Sequence, residues 1–349
     1  MTGRPTSSGR SLAARLADGE LDVCDLIAAP ERFGEAGEMA KGTPLGRLVA
    51  SDPGMEDGAD PGAWRRVGLD PGASLADLDS GEREWLADVV RFWRRKPRNV
   101  NETIAPRDWI HERAPDQYYA TGRTTIRRVR LVQLQTRKGE FRRILDFGSG
   151  YGRILRQLKA AYPEARLAAC DILPEAVDFC AQTFGAEPIY AADDPGETEL
   201  EGQFDLIWVG SLFTHLAAPR WTSLLDLFER VLEPGGILLF SAQGRSIRDR
   251  IANRTWLDAY GRPIWENWGV AEEQLDEAVA DYDREGFGYL EWGALDRQYG
   301  TSISSPSWVL KQLETRPGLE IVSYWERGWT PQDLIACVGT RPGQERESS

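Results

Sequence analysis

Histidine and cysteine are scarce in this chain, with two and four among 349 residues. His111 and His215 stand far apart, and Cys24, Cys170, Cys180 and Cys337 include no Cys-x-x-Cys pair. Such spacing builds no zinc site. It suits free thiols in a reducing cytoplasm, and a cytoplasmic location is expected. Long apolar runs are missing too: none approaches the roughly 18 residues of a membrane span. Basic charge is short, with 42 Lys and Arg against 55 Asp and Glu and a formal net charge of -13. Phosphate neutralisation needs clustered Lys and Arg, so neither nucleic acid nor a membrane is expected as a partner. The acidity itself reads as a means of staying soluble. Arg4, Arg10 and Arg15 lie among Ser and Thr with no apolar stretch behind them. That argues against a secretory signal and for a disordered tail.

The length allows a full-size domain and an extra region. Residues 1–80 are rich in Gly, Ala, Asp and Pro, without repeats or a sustained period; short helices fit at 11–17 and 28–37. Residues 81–140 are expected to form a helical N-terminal cap. In it, 82–95 places Trp85, Leu86, Val89, Val90 and Trp93 on one helical face. A second helix is expected at 124–137, behind the segment 116–123. From residue 143 the pattern alternates strand and helix. Strands are expected at 143–147, 166–170, 188–192, 204–209 and 237–241. Helices are expected at 151–161, from Pro174 to Gly185, and at 220–232, closed by Pro234, Gly235 and Gly236. An insertion covers 244–305, a helix 308–315, and two strands, 320–325 and 333–339, form a terminal hairpin. This alternation predicts an α/β fold, a mostly parallel seven-stranded sheet with one antiparallel terminal strand and helices on both faces. The core would comprise 141–243 and 306–342.

What the chain does have is a glycine turn, Asp146-Phe-Gly148-Ser149-Gly150-Tyr-Gly152, running out of the first strand. Glycines at alternate positions permit backbone conformations closed to other residues and let a ligand approach closely. Asp171 ends the next apolar run. In a nucleotide-binding βαβ unit an acidic residue about 20 positions past the glycines holds ribose hydroxyls. A nucleoside is therefore expected. The dinucleotide pattern G-x-G-x-x-G is absent, because the third glycine comes one position early and Arg153 occupies its place. No Gly-Lys-Ser/Thr of a phosphate loop is present either.

The glycine turn, the downstream Asp, five parallel strands and a terminal hairpin together resemble the class I S-adenosylmethionine-dependent methyltransferases, with their Rossmann-like fold. The segments 145–153, 204–216 and 231–236 resemble the bacterial small-molecule members most. The resemblance spans about 117–341. It implies S-adenosyl-L-methionine as cofactor and a small-molecule acceptor, and it says little about which one. The long N-terminal region and the insertion depart from the simplest members, and the insertion is expected to serve as a lid over the acceptor. A homo-oligomer is compatible with all of this.

By this resemblance Gly148, Ser149, Gly150 and Gly152 line the cofactor, Asp146 orients the turn and the cofactor's amino group, and Asp171 accepts from both ribose hydroxyls. A helix cap would also explain Asp171. Ile172 would pack on adenine, or in the core. Asp193 or Asp194 would meet the adenine amine, although Pro195-Gly196 makes turn chemistry an equal explanation. Gly210 and Ser211 follow the fourth strand, at the edge where open α/β sheets bind ligands. Tyr118, Tyr119, Gly122 and Arg123 would fold over the cofactor, since aromatic faces suit a sulfonium and Arg a carboxylate. His215, beyond strand four, is the candidate general base for an alcohol acceptor; a purely structural His is the competing reading. Trp256, Trp265, Trp268 and Trp292 of the insertion fit a stacking surface or the core of a lid. A metal-assisted mechanism would want an Asp where Ser211 stands, so no catalytic metal is expected.

The expected function is methyl transfer to a hydroxyl of a sugar or secondary metabolite. N-methylation, a cofactor-binding module without transfer, and a protein or RNA acceptor are the competing readings.

Overall fold

The computed structural model describes residues 99–257, 261–266, 269–292, 299–329 and 331–340. All of these belong to the unit Pro97–Ser349. The helices expected at 11–17, 28–37 and 82–95, the extension 1–80, Cys24 and Trp268 lie outside the described residues.

This unit opens with Trp109–Arg113 (α1), capped by Asp108, whose Oδ1 accepts from the His111 N–H. Pro115–Gln135 (α2) follows, with Pro115 in the first turn, where a missing N–H costs nothing. The expected start at 124 is too late, and 116–123 are helical. Gly122 lowers helix propensity, yet here it is needed. A Cβ at that position would lie 2.5 Å from Gln157 Cγ on the helix Leu155–Ala161 (α3). Close packing of α2 on α3 overrides the local preference.

Along the chain come Arg143–Phe147 (β1), α3, Arg166–Asp171 (β2), Pro174–Phe184 (α4), Glu187–Tyr190 (β3), Phe204–Val209 (β4), Ala218–Val231 (α5) and Leu232–Ala242 (β5). Strands one and four match expectation residue for residue. Gly185 closes α4 in the left-handed region, φ 67°, its N–H bonding to Ala181 O. α3 begins at Leu155 instead of 151, since 151–154 form turns that leave the glycine loop. β3 begins one residue early and stops at Tyr190. β5 begins at Leu232, well before the expected 237. Its pairing with β4 slips between Phe204 and Leu206, which absorbs the Pro-Gly-Gly run that otherwise reads as a loop.

The insertion holds Arg245–Ala252 (α6), Glu272–Glu285 (α7), Phe287–Glu291 (β6) and Gly300–Ser304 (β7), the last two forming an antiparallel pair. Pro306–Glu314 (α8), Leu319–Trp329 (β8) and Gln332–Gly339 (β9) complete the unit. β8 runs four residues past the expected 325, with an irregular register where the link was expected.

The sheet order is β3-β2-β1-β4-β5-β9-β8, with β9 alone antiparallel to its neighbours. The chain winds outward in both directions from the boundary of β1 and β4. That reversal leaves a crevice at the carboxyl ends of these strands. Every residue of β4 is buried. Trp221, Leu224, Leu225, Phe228 and Val231 lie on one stripe of α5 and pack on the sheet with Phe213, Phe240 and Ile335. Asp205 is buried as well, but its two oxygens accept the backbone N–H groups of Arg142 and Arg143. A buried carboxylate satisfied in this way ties β4 to the start of β1. The insertion has its own core of Ile247, Ile251, Trp256, Trp265, Leu275 and Ile303 among others. No described helix is long and apolar enough to cross a membrane.

Candidate cofactor and transfer site

The glycine turn leaves β1 with Gly148, Gly150 and Gly152 all at positive φ, 81°, 49° and 77°. The N–H groups of Gly148 and Ser149 donate to Cys170 O at 2.8 and 3.0 Å, pinning the turn to β2. Each glycine answers a different demand. A Cβ on Gly152 would meet Phe184 Cε2 at 2.5 Å, so packing of α4 requires its absence. A Cβ on Gly150 would meet nothing within 4 Å, so that glycine faces open space on the ligand side.

Asp171 holds this turn in place. Its Oδ2 accepts from Gly150 N at 2.7 Å and its Oδ1 from Leu173 N at 3.0 Å. It caps backbone locally without being the N-cap of α4, which is Leu173. Burial raises its pKa, and the N–H bonds from Gly150, Leu173 and Ile172 oppose the rise. Each carboxylate oxygen retains a second lone pair for a ligand hydroxyl. Beside it, Ile172 and Leu173 are exposed at 38% and 40%, well above a core position. Two neighbouring apolar side chains left to solvent next to the turn form a surface on which a flat ring can lie.

Asp146 is the next-to-last residue of β1, 1% exposed, opposite Trp208 of β4. Its Oδ2 has no hydrogen-bond partner. Burial raises its pKa to about 7, the Asp171 charge adds to the shift, and Arg153 and the Leu155 N–H oppose it. An orphaned carboxylate oxygen behind a glycine turn fits a cationic donor from a ligand.

Asp193 and Asp194 part ways. Asp194 Oδ1 accepts from Gly196 N and Ser223 Oγ, closing the turn Pro195–Glu197. Asp193 is exposed, and its side chain faces no such turn. Ser211 has φ 62°, a conformation that costs a non-glycine residue energy. Its N–H donates to Ser241 Oγ at 2.8 Å, and Gln332 bonds both Ser241 Oγ and Ser211 Oγ. Gly210 next to it leaves room for Trp208 and Trp329, whose nearest atoms a Cβ would meet at 2.9 and 3.1 Å.

On α2, Tyr118 is buried and its hydroxyl donates to Asp108 Oδ2 at 2.6 Å while accepting from Arg156. Tyr119 stacks edge-on against it, with its hydroxyl toward Glu102 O. Gly122 faces Gln157, and Arg123 is exposed. Of these four only Tyr118 borders the recess of about 260 Å³ that Arg153, Ser211, Trp329 and Gln332 also line.

His215 closes a single helical turn, Phe213–His215. Its Nδ1 lies 2.9 Å from Gly300 O. A carbonyl only accepts, so Nδ1 carries the proton and Nε2 is left as the base. Burial lowers its pKa below the usual 6.5, with the Gly300 bond opposing. Trp292 meets the ring edge-on at 4.9 Å and donates to Thr301. The insertion thus sends Trp256 and Trp265 into its own core and Trp292 against His215. His111 contacts the Tyr118 ring instead. Among the described residues no group of three or more His, Cys, Asp or Glu is placed to hold a metal ion.

Arg153, Trp329 and Gln332 escaped the sequence reading as site residues. Arg153 stands one position past Gly152 and gave a signal only as a departure from the dinucleotide pattern. Trp329 and Gln332 lie in what reads as a hairpin link.

Residues 144–236 match the family described as Methyltransferase domain. Over 102 residues, 29% of this chain, it is 36% identical to a malonyl-[acyl-carrier protein] O-methyltransferase of Anoxybacillus flavithermus, covering 39% of that protein. A protein of the same name from Acetivibrio thermocellus is 29% identical over 106 residues, again 29% of this chain and 35% of that one. The chain thus spans less than two fifths of either curated relative. An S-adenosylmethionine-dependent methyltransferase structure from Clostridium acetobutylicum aligns over 67% of this chain and 97% of its own, at 13% identity and a TM-score of 0.44. With the glycine turn, Asp171 and the strand order in place, the chain carries over residues 144–236 a class I S-adenosylmethionine-dependent methyltransferase domain.

Proposed function

We propose that this protein transfers a methyl group to a hydroxyl oxygen of a small-molecule acceptor, with His215 as general base. The observation that carries the reading is the imidazole fixed by Gly300 O, its Nε2 unprotonated near neutral pH. S-adenosylmethionine, when bound, supplies an electrophilic methyl carbon on a sulfonium. Asp171 would hold its ribose, Ile172 its adenine, Asp193 the adenine amine and Asp146 its amino group. Methyl transfer is an in-line displacement, so alignment of oxygen and methyl dominates the rate. His215 Nε2 takes the hydroxyl proton as the oxygen bonds to the methyl carbon. The bound cofactor would retain the carbon–sulfur electron pair on sulfur and be left as S-adenosylhomocysteine. The described hairpin β6–β7 contributes Gly300 and Trp292 to this chemistry, which supports a lid role for the insertion. The curated relatives are named as O-methyltransferases, which supports oxygen over nitrogen.

The test is formation of S-adenosylhomocysteine by the full chain across a panel of hydroxylated sugars, phenols and hydroxy acids. Turnover is expected with at least one, and Asp171→Ala is expected to abolish it together with cofactor binding. Cofactor binding with no turnover across the panel would instead favour a non-methylating module.

A further inference from the structure

Arg153 is the cation that the mechanism above does not use. It sits on the turn after Gly152, and its guanidinium carbon lies 5.8 Å from the centre of the Trp329 ring. Among the described residues no hydrogen bond or ion pair reaches it. Other arginines of this unit are engaged: Arg156 donates to four backbone carbonyls and to Tyr118, and Arg143 pairs with Glu187. Burial pushes the Arg153 pKa down, against the pull of Tyr118, Asp146 and Asp108. The side chain is only partly buried, so its five donors remain open to a ligand entering from solvent.

The space beside it is built to receive one. The recess of about 260 Å³ is lined by Gln117, Tyr118, Arg153, Ser211, Trp329 and Gln332 among others. Trp329 supports the planar face of the guanidinium and is itself fixed, donating to Thr125 Oγ1 at 2.7 Å. The Gln332 amide is held by Ser211 and Ser241, at the ends of β4 and β5. Those strands stand two and three places from β2 in the sheet. At about 4.8 Å per strand, Ser211 and Ser241 stand roughly 10–14 Å across the sheet from Asp171.

We propose that this recess is a carboxylate subsite for the methyl acceptor, with Arg153 gripping the carboxylate in its two-pronged fork. The acceptor is then an acid whose carboxylate anchors it while its oxygen nucleophile is aligned. The assignment rests on the methyl-transfer reading for the word acceptor, and on the recess alone for the carboxylate.

The test uses the full chain saturated with S-adenosylhomocysteine and titrated calorimetrically with malonate and with benzoate, each against its methyl ester. The acids are expected to bind about tenfold to hundredfold more tightly than the esters. Arg153→Met, which keeps the stem over Trp329, is expected to remove that preference and leave S-adenosylhomocysteine affinity within about twofold. Arg153→Lys keeps the charge without the fork, and is expected to retain part of it. Should the Met variant fail to fold, the Lys variant and the acid–ester comparison on the native chain still decide. No acid preference in the native chain overturns the proposal. So does a loss of S-adenosylhomocysteine affinity in Arg153→Met with 5′-methylthioadenosine unaffected, because Arg153 would then serve the cofactor's own carboxylate. Acid preference in a chain that does not bind S-adenosylhomocysteine would retain the carboxylate site while sinking the methyl-transfer reading.

Discussion

Replacing Asp146 by Asn tests whether a buried carboxyl is held in reserve for the cofactor. The side chain is 1% exposed, one oxygen lacks a partner, and its pKa is raised from 3.8 to about 7. A carboxyl whose folded pKa exceeds its unfolded value costs stability once ionised. Between the two pKa values the folded state binds the proton and the unfolded state does not, so stability falls as pH rises through that window. A shift of about three units corresponds to about 4 kcal/mol at pH 8, of which somewhat less than half is already present at pH 5. The native chain should therefore lose about 2–3 kcal/mol more than Asp146→Asn between pH 5 and pH 8. Urea unfolding of both proteins at each pH measures this, and titrations common to both cancel in the difference. A native-to-variant difference that stays constant from pH 5 to 8 would refute a buried, poorly solvated carboxylate. The same shift predicts that S-adenosylhomocysteine binds the native chain more tightly as pH rises towards 7, approaching tenfold per unit, because its ammonium selects the ionised carboxylate. Asn at 146 should flatten that slope.

His215→Asn should lower kcat by about 10²- to 10⁴-fold and leave S-adenosylhomocysteine affinity, read by calorimetry, unchanged; a loss confined to folding stability would make the residue structural. Because burial lowers the His215 pKa, kcat at saturating S-adenosylmethionine should be level from pH 7 upward and fall only at pH values below 6.5. A kcat still rising between pH 7 and 8 at saturating cofactor would point to another base. Gly152→Ala should cost about 1–3 kcal/mol in chemical denaturation, since its φ of 77° and the 2.5 Å approach to Phe184 Cε2 both penalise a Cβ. Gly150→Ala meets no neighbour, so its larger effect should fall on cofactor binding.

The sequence by itself determined the alternation of strand and helix, the glycine turn, Asp171 and the antiparallel last strand. These are local or periodic signals: apolar runs such as 204–209, a proline at the head of α4, a glycine at its end. Position 122 shows where local reading failed, because a glycine there argues against helix until α3 lies against it. The insertion shows the same limit, since its four tryptophans read alike in sequence. Only tertiary packing sends Trp256 and Trp265 inward and sets Trp292 on His215. The tautomer of His215 depends on Gly300, 85 positions away, and the Ser211 loop on Gln332, 121 away. Arg153 gains its meaning from Trp329, which belongs to the other end of the chain. Cofactor chemistry is written in a contiguous motif because one strand–turn–helix unit makes most of that site. The acceptor side is assembled from distant strand ends, and chain folding alone brings those together.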